Sequence, residues 1–387
     1  MQKKFILKFK NALHKVLKYK KCSLHEPTFD KIESKYLLNV LKKRSVSTYG
    51  KETKVFEDKL KNFTNSKYAF CVINGTSGLH LSLFSSGINN NCEVLIPALN
   101  YIASSNAVIY CGGIPHFIDV EEKTLGPDAE KLDKYLKKIS KFKNGILLNK
   151  RTGRTIKYII ITHIFGHPVD IDKILKVCKK YRLKIIEDAA EGLGSYYKNK
   201  HLGTFGEIGV ISFNGNKIIT TGGGGVILTN SKKISEKIRM MYTNSRKNHV
   251  WEYKFYDLGF NYKMPSLNAQ LGIAQLKKLK TFLKLKRSLY KKYHSVFKNF
   301  TEFYLLKEPK FCKSNYWLQT IILKKSDLKL IKNILSETNK VGYGTRPVWS
   351  ILNTNPHLKK YPSMNLNCAK SLEKRIINLP SSPFHAK

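Results

Sequence analysis

Acidic residues are scarce in this chain of 387 residues. Asp and Glu number 27 against 70 Lys and Arg, which gives a formal net charge of +43 at pH 7. Such a balance suits either a polyanion-binding surface or a solvated, lysine-rich one. Arginine, the better reader of bases, is rare beside lysine, and the lysines run through every segment instead of clustering on one. Nucleic acid is therefore not an expected partner. The positive field is expected to attract small anions, a sugar nucleotide among them.

Also missing is any run of 18 apolar residues, so no membrane-spanning helix and no stable membrane insertion are expected. The seven cysteines are spread singly, odd in number and without zinc-ligand spacing. They read as reduced thiols of a cytoplasmic protein. The first 21 residues lack an apolar h-region and a small-residue cleavage site, so they do not read as a secretory signal. His163 and His167 stand four apart, but Gly166 and Pro168 break the helix that a metal pair wants. They read as loop histidines with local hydrogen bonds, and no metal is expected. Internal repeats, low-complexity tracts and a Gly/Ser linker are lacking too.

What is present builds a core. Hydrophobic residues make up 42% of the chain, with 21 Tyr and 20 Phe, so it is not disordered. Phe5, Ile6, Phe9, Leu13, Val16 and Leu17 recur at helical spacing near the N-terminus. That stripe suits a membrane surface or the chain's own core, and the second is expected. From residue 69 onward short apolar strands alternate with helical patterns. The strands fall at 69–73, 94–96, 116–119, 158–162, 184–187, 208–213 and 225–228. This alternation predicts a mostly parallel seven-stranded sheet with helices on both faces. A long helical pattern from Pro265 to about Phe300 connects to a smaller α+β part, with a strand at 316–323, a helix at 328–337 and a Pro- and Asn-rich tail. The expected division is 1–25 as a helix packing on the small domain, 26–275 as the large domain, and 276–387 as connector helix and small domain.

Chemistry concentrates where strands end, because open parallel sheets bind ligands beyond the carboxyl ends of their strands. Ser212 and Lys217 flank a polar turn that runs into the glycines 222–225. A lysine between buried strands is dehydrated and can serve as a nucleophile toward an aldehyde cofactor. The same spacing also suits a plain Gly-rich hairpin. Thr76 and Ser77 sit at a strand-to-helix turn, where backbone amides and the helix dipole hold phosphate, or where a hydroxyl merely caps the helix. Asp188 and Glu191 follow another strand and would suit a cationic partner such as a pyridinium N–H; a helix-capping Asp is the plainer reading. Tyr101 could stack on a flat cofactor or belong to the core.

Taken in order, a phosphate turn, an aromatic, an acid at a strand end and Ser-x4-Lys resemble the DegT/DnrJ/EryC1/StrS sugar-nucleotide aminotransferases. The resemblance spans about residues 25–385. It rests on Ser47-Thr48-Tyr49-Gly50, Asn74-Gly75-Thr76-Ser77, Glu187 to Ser195, Gly203 to Gly206, Ser212 to Thr221, and Gly259 to Pro265. It implies a pyridoxal-phosphate enzyme of fold type I, like aspartate aminotransferase. On that likeness Lys217 forms the Schiff base and moves the proton. Asp188 keeps the pyridine nitrogen protonated, Tyr101 stacks on the ring, and Thr76, Ser77 and Ser212 hold the phosphate. Glu191 lies by the 3-hydroxyl. Asn261 reaches the phosphate of a partner subunit's cofactor, which implies a homodimer with shared active sites. Tyr49 and Arg346 fall on the substrate side. Arg346-Pro347-Val348-Trp349 and Asn378 to Pro383 resemble the branch that makes UDP-4-amino-4,6-dideoxy-N-acetylglucosamine for legionaminic acid or bacillosamine.

Asn353 and Lys263 depart from the family's usual histidine and arginine. The reaction so implied transfers the amine of L-glutamate to a UDP-linked 4-keto-6-deoxy-N-acetylhexosamine. The alternatives are a GDP-perosamine-type or 3-keto sugar aminotransferase and, in another class, an inactive basic protein that binds nucleic acid or a membrane surface on the same fold.

Overall fold

The computed structural model describes residues 2–18, 20–247 and 249–386. Its main sheet follows from the apolar runs. Strands β1 (Tyr68–Val72), β2 (Cys92–Pro97), β3 (Ile114–Ile118), β4 (Thr155–Thr162), β5 (Lys184–Asp188), β6 (Ile208–Ser212) and β7 (Gly225–Thr229) lie in the order β1-β7-β6-β5-β4-β2-β3. Six of them are mutually parallel and β7 alone runs the other way, paired antiparallel with both β1 and β6. Their residues are almost all buried, as continuous apolar strands covered on both faces must be.

The sheet has nine strands rather than the seven expected. Ser140–Lys143 and Ile146–Asn149 form an antiparallel ribbon that joins β4 through Leu148 opposite Thr155. Asn144 and Gly145, both at positive φ, make its turn. Asn-Gly is the residue pair such a two-residue hairpin demands, but lysines alternate through the strand before it, so the ribbon lacks a clean apolar face in the sequence.

β1 lies at the end of the sheet. Segment 262–264 closes its free edge, with Tyr262 O accepting from Ile73 N and Cys71 O from Met264 N. Glu57, on the Glu52–Thr64 helix, accepts the Cys71 N–H at 2.9 Å.

A second antiparallel sheet orders Phe303–Leu305, Gln319–Leu323, Ile376–Leu379 and Arg346–Pro347. Ile376–Leu379 is central there, not part of a tail; four buried residues bounded by Arg375 and Pro380 were too short to stand out among polar neighbours. The N-terminal helix Gln2–Leu17 lays Phe9, Leu13 and Leu17 into this core, where Phe9 stacks on Phe297 at 5.4 Å. Helix Ser266–Phe297 spans both halves. Among the described residues no helix is long and apolar enough to cross a membrane.

The edge cap makes a prediction. Burial pushes the Glu57 carboxyl from its ordinary 4.5 up to about 7. Between those values the folded chain holds a proton that the unfolded chain has released, so stability falls as pH rises from about 4.5 to about 7. A shift of that size corresponds to about 3 kcal/mol. Glu57→Gln keeps the acceptor for Cys71 N–H and removes the titration. Denaturant unfolding should find the variant equal to wild type at pH 5 and more stable at pH 8.

Candidate active site

The six parallel strands end on one side of the sheet, and the exits of five of them, β1, β2, β4, β5 and β6, line one cavity of about 320 Å³. After β1 comes Asn74, whose side chain accepts from Ser77 N–H at 2.7 Å and caps the helix Gly75–Ser85. Thr76 lines the cavity, while Ser77 does not. Neither of these residues is the cap, so the capping alternative falls to Asn74 instead. At the start of β7, a Cβ on Gly225 would stand 3.0 Å from Gly75 N, so only glycine lets β7 begin against this turn.

Asp188 ends β5 and is 5% exposed. Ser104 Oγ donates to one of its oxygens at 2.6 Å and Ala190 N–H to the other at 3.2 Å. Asn100 steadies that arrangement by donating to Ser104 Oγ at 3.1 Å and to Thr162 Oγ1 at 2.8 Å. Burial still holds the Asp188 carboxyl above its ordinary range, against the lowering pull of Ser104, Ala190 N–H and Lys217. Glu191 is likewise pushed up by burial and pulled back by Lys217. One Glu191 oxygen accepts from Phe165 N–H at 2.7 Å and the other meets Lys217 Nζ at 3.1 Å. The Lys217 side chain is only 13% exposed, and its amine lies 3.9 Å from the centre of the Trp317 ring. The lysine is thus set between a carboxylate and an indole, not bare in an apolar turn. Ser212 Oγ lines the cavity and accepts from Asn214 N–H at 3.3 Å. Tyr101, 54% exposed, stands over the opening with Trp349 edge-on at 5.8 Å.

Lys217, Asp188, Glu191, Thr76, Ser212 and Tyr101 therefore meet around one cavity. Tyr49, Asn261 and Lys263 do not join them. They line a separate concavity of about 970 Å³ with Arg246, which donates to the Tyr49 hydroxyl at 3.0 Å. Arg346 lies in neither; it is exposed and donates to Asn339 Oδ1 at 2.7 Å and Thr345 O at 2.8 Å. Among the described residues, Asn353 Oδ1 is buried with no hydrogen-bond partner. Sequence reasoning missed Asn74, Asn100, Ser104 and Trp317. An Asn three residues before a backbone donor at a helix start is a legible cap signal; the others carry none until the fold joins them. His163 donates from Nε2 to Glu187 at 3.1 Å while its Nδ1 accepts from Val169 N–H. His167 is buried edge-on to Tyr316.

The residues fit pyridoxal phosphate. A buried, incompletely neutralised carboxylate suits a protonated ring nitrogen. A lysine amine in the same cavity suits an aldehyde, and the N-terminus of an 11-residue helix behind Gly75 and Thr76 suits a phosphate. The chain is a pyridoxal-phosphate-dependent sugar aminotransferase of fold type I.

It belongs to the DegT/DnrJ/EryC1/StrS aminotransferase family, which residues 27–386 match. It is 33% identical over 363 residues to a GDP-perosamine synthase of Escherichia coli O157:H7, covering 93% of each chain. It is 32% identical over 283 residues to the UDP-4-amino-4,6-dideoxy-N-acetyl-beta-L-altrosamine transaminase of Campylobacter jejuni, covering 73% of this chain and 71% of that one. The solved structure of Helicobacter pylori PseC, an aminotransferase of pseudoaminic acid biosynthesis, superposes with a TM-score of 0.83 at 25% identity, covering 93% of this chain and 94% of that one.

Lys217→Ala should abolish the visible absorbance of the lysine–cofactor bond and lower turnover by about 10²–10⁴-fold, the usual cost of losing a positioned proton carrier. Asp188→Asn should keep the band and lower turnover. Spectra and steady-state rates on the purified proteins check both, and wild-type turnover by Lys217→Ala would be the contrary result.

Proposed function

We propose that the enzyme moves the amino group of L-glutamate to the 4-keto carbon of a UDP-linked 4-keto-6-deoxy-N-acetylhexosamine. The step serves surface-glycan amino sugars of the legionaminic acid or bacillosamine type, in the cytoplasm. One observation carries the transfer chemistry: the Lys217 amine reaches Glu191 at 3.1 Å in the cavity that also holds the buried Asp188 carboxylate.

Bound pyridoxal phosphate supplies an aldehyde for amines and a ring that takes up electrons when a C–H proton leaves. The protein does the rest. Asp188 holds a proton on the ring nitrogen, because a charge in that buried position offsets its own desolvation. Ser104 and Asn100 keep its oxygens aimed. Thr76, Ser212 and the helix N-terminus would hold the cofactor's phosphate. Tyr101 covers the outer face of the cavity. Lys217 would accept and return the substrate proton at Nζ, and Glu191 keeps that amine in reach.

The likeness to the GDP-perosamine synthase favours a second reading, with a GDP-linked keto-sugar as acceptor. The two differ only in what is joined to the pyrophosphate and at the second sugar carbon. A coupled assay with L-glutamate and a panel of UDP- and GDP-linked keto-sugars decides it. The expected hit is the UDP-linked 4-keto-6-deoxy-N-acetylglucosamine; turnover of only the GDP sugar, or only of a 3-keto sugar, overturns the first reading.

The working unit we infer is a homodimer. Asn261 and Tyr49 line a concavity of their own, as residues that complete a neighbour's site would. Phe29 and Leu38 are each more than half exposed in a wide groove, an apolar surface that a second copy would cover. Mixing Lys217→Ala chains with Asn261→Ala chains should restore up to about a quarter of wild-type activity, because half the mixed pairs' sites are intact. Activity that is no higher than the average of the two variants alone counts against shared sites.

A further inference from the structure

Trp317 lines the cavity from the lead-in to Gln319–Leu323 of the second sheet, and all its polar atoms are committed. Its N–H donates to Asn315 Oδ1 at 2.7 Å. Its indole Nε1–H donates to Asn216 O at 2.7 Å, directly before Lys217. Its carbonyl accepts from Lys286 Nζ at 2.6 Å. Both anchors are themselves fixed. Asn315 is wholly buried and gives its amide hydrogens to Glu191 O at 2.7 Å and Leu193 O at 2.8 Å. Its own N–H goes to Ser195 Oγ at 2.9 Å. Lys286 is wholly buried on the long helix and also donates to Ser381 O. The indole therefore has one orientation, and in it the ring faces the Lys217 amine at 3.9 Å.

A structural aromatic would be served by packing alone. Three directed hydrogen bonds, at the backbone N–H and carbonyl of this residue and at the edge of its ring, fix its plane against a single amine. The need for such a device follows from the reaction. Between the two half-reactions Lys217 has no bond to the cofactor, and a free lysine has four rotatable bonds with which to leave the site. Glu191 alone is a partial tether, because its second oxygen is already held by Phe165 N–H. A fixed π face on the other side of the amine restricts it without forming a bond that must later be broken.

We propose that Trp317 is a positioning residue for Lys217: its indole face, set by Lys286 and Asn315, keeps the lysine amine at the cavity while that amine is not bonded to the cofactor. The inference rests on the pyridoxal-phosphate reading above, and its test separates the two.

Apoenzyme of wild type, Trp317→Phe and Trp317→Met is mixed with pyridoxal phosphate, and the visible band is followed by stopped flow. Phe keeps a π face, and Met fills space without one. A wild type that never develops the band refutes the cofactor reading itself and leaves no role for a tether. With the band present, Trp317→Phe should form it within about threefold of the wild-type rate. Trp317→Met should be slower by about tenfold, the size that a desolvated cation–π contact carries. In turnover, kcat of Trp317→Met should fall while the KM for L-glutamate stays within about twofold, since the contact lies on the enzyme's own lysine. The proposal is overturned if Trp317→Met forms the band at the wild-type rate. It is equally overturned if Phe and Met slow it alike, or if both variants fail to fold or to form the band, for then the tryptophan serves packing and not the amine.

Discussion

Three carboxylates buried within five residues, Glu187, Asp188 and Glu191, set the terms on which the rest of this site is built. Charges taken out of water need partners, and each acid here has a different set. Glu187 is saturated: His163 and the N–H groups of Gly203, Phe205 and Gly206 all donate to it. It closes the loop that follows β5 onto the sheet and has nothing left to offer a ligand. Asp188 receives one hydroxyl and one N–H, and burial still lifts its carboxyl. Glu191 divides its oxygens between a backbone N–H and Lys217. The gradient from saturated to under-neutralised is what separates scaffold from chemistry in a stretch where the sequence offers only a run of acids.

The segment leading into the second sheet completes that arrangement rather than merely flanking it. Ser314 and Asn315 bond to Gly166 O, Glu191 O, Leu193 O and Ser195 Oγ. The backbone of the acidic loop is thus held from the side opposite the sheet. Segments joined by several buried bonds at the acidic loop cannot slide past each other without disturbing the cavity, because each broken bond leaves a buried polar group unpaired. The long Ser266–Phe297 helix reinforces this, since its buried faces belong to both cores and its Lys286 reaches Trp317 and Ser381 at once.

Much of this was legible beforehand, for identifiable reasons. The seven strands of the main path are continuous apolar runs separated by helical periodicity, a pattern that depends on burial alone. Lys217, Asp188, Glu191, Thr76, Ser212 and Tyr101 could be placed at strand exits because a parallel sheet brings its carboxyl ends together. What escaped is what depends on distance in the chain. Trp317 reads as one more aromatic before a strand, and only the docking of the second sheet aims it at residue 217. Asn100 and Ser104 are ordinary polar residues until β2 and β5 become near neighbours and set them beside Asp188. Tyr49 and Arg346 were set on the substrate side by resemblance, yet one chain folds them away from Lys217; a pattern shared along a sequence does not say which copy of a chain a residue serves.

The charge imbalance bears on the same site. With so few acids, those present are drawn into specific bonds: Asp119 takes Lys131 and two backbone N–H groups, Glu122 takes Arg375 and Tyr304, Glu308 takes Arg287. Most lysines are left to water, where each contributes little to stability. Their summed field is another matter, because unpaired charges of one sign add over the whole surface. Inside the cavity the sign reverses locally, with Asp188 and Glu191 facing one lysine. A dianionic phosphate or a nucleotide diphosphate is drawn toward the molecule by the outer charge. It is then held only where helix N–H groups and hydroxyls meet it, away from the two carboxylates. On the proposed reading the inner acids would orient the cofactor, with its ring nitrogen toward Asp188 and its phosphate toward the turn at Gly75 and Thr76.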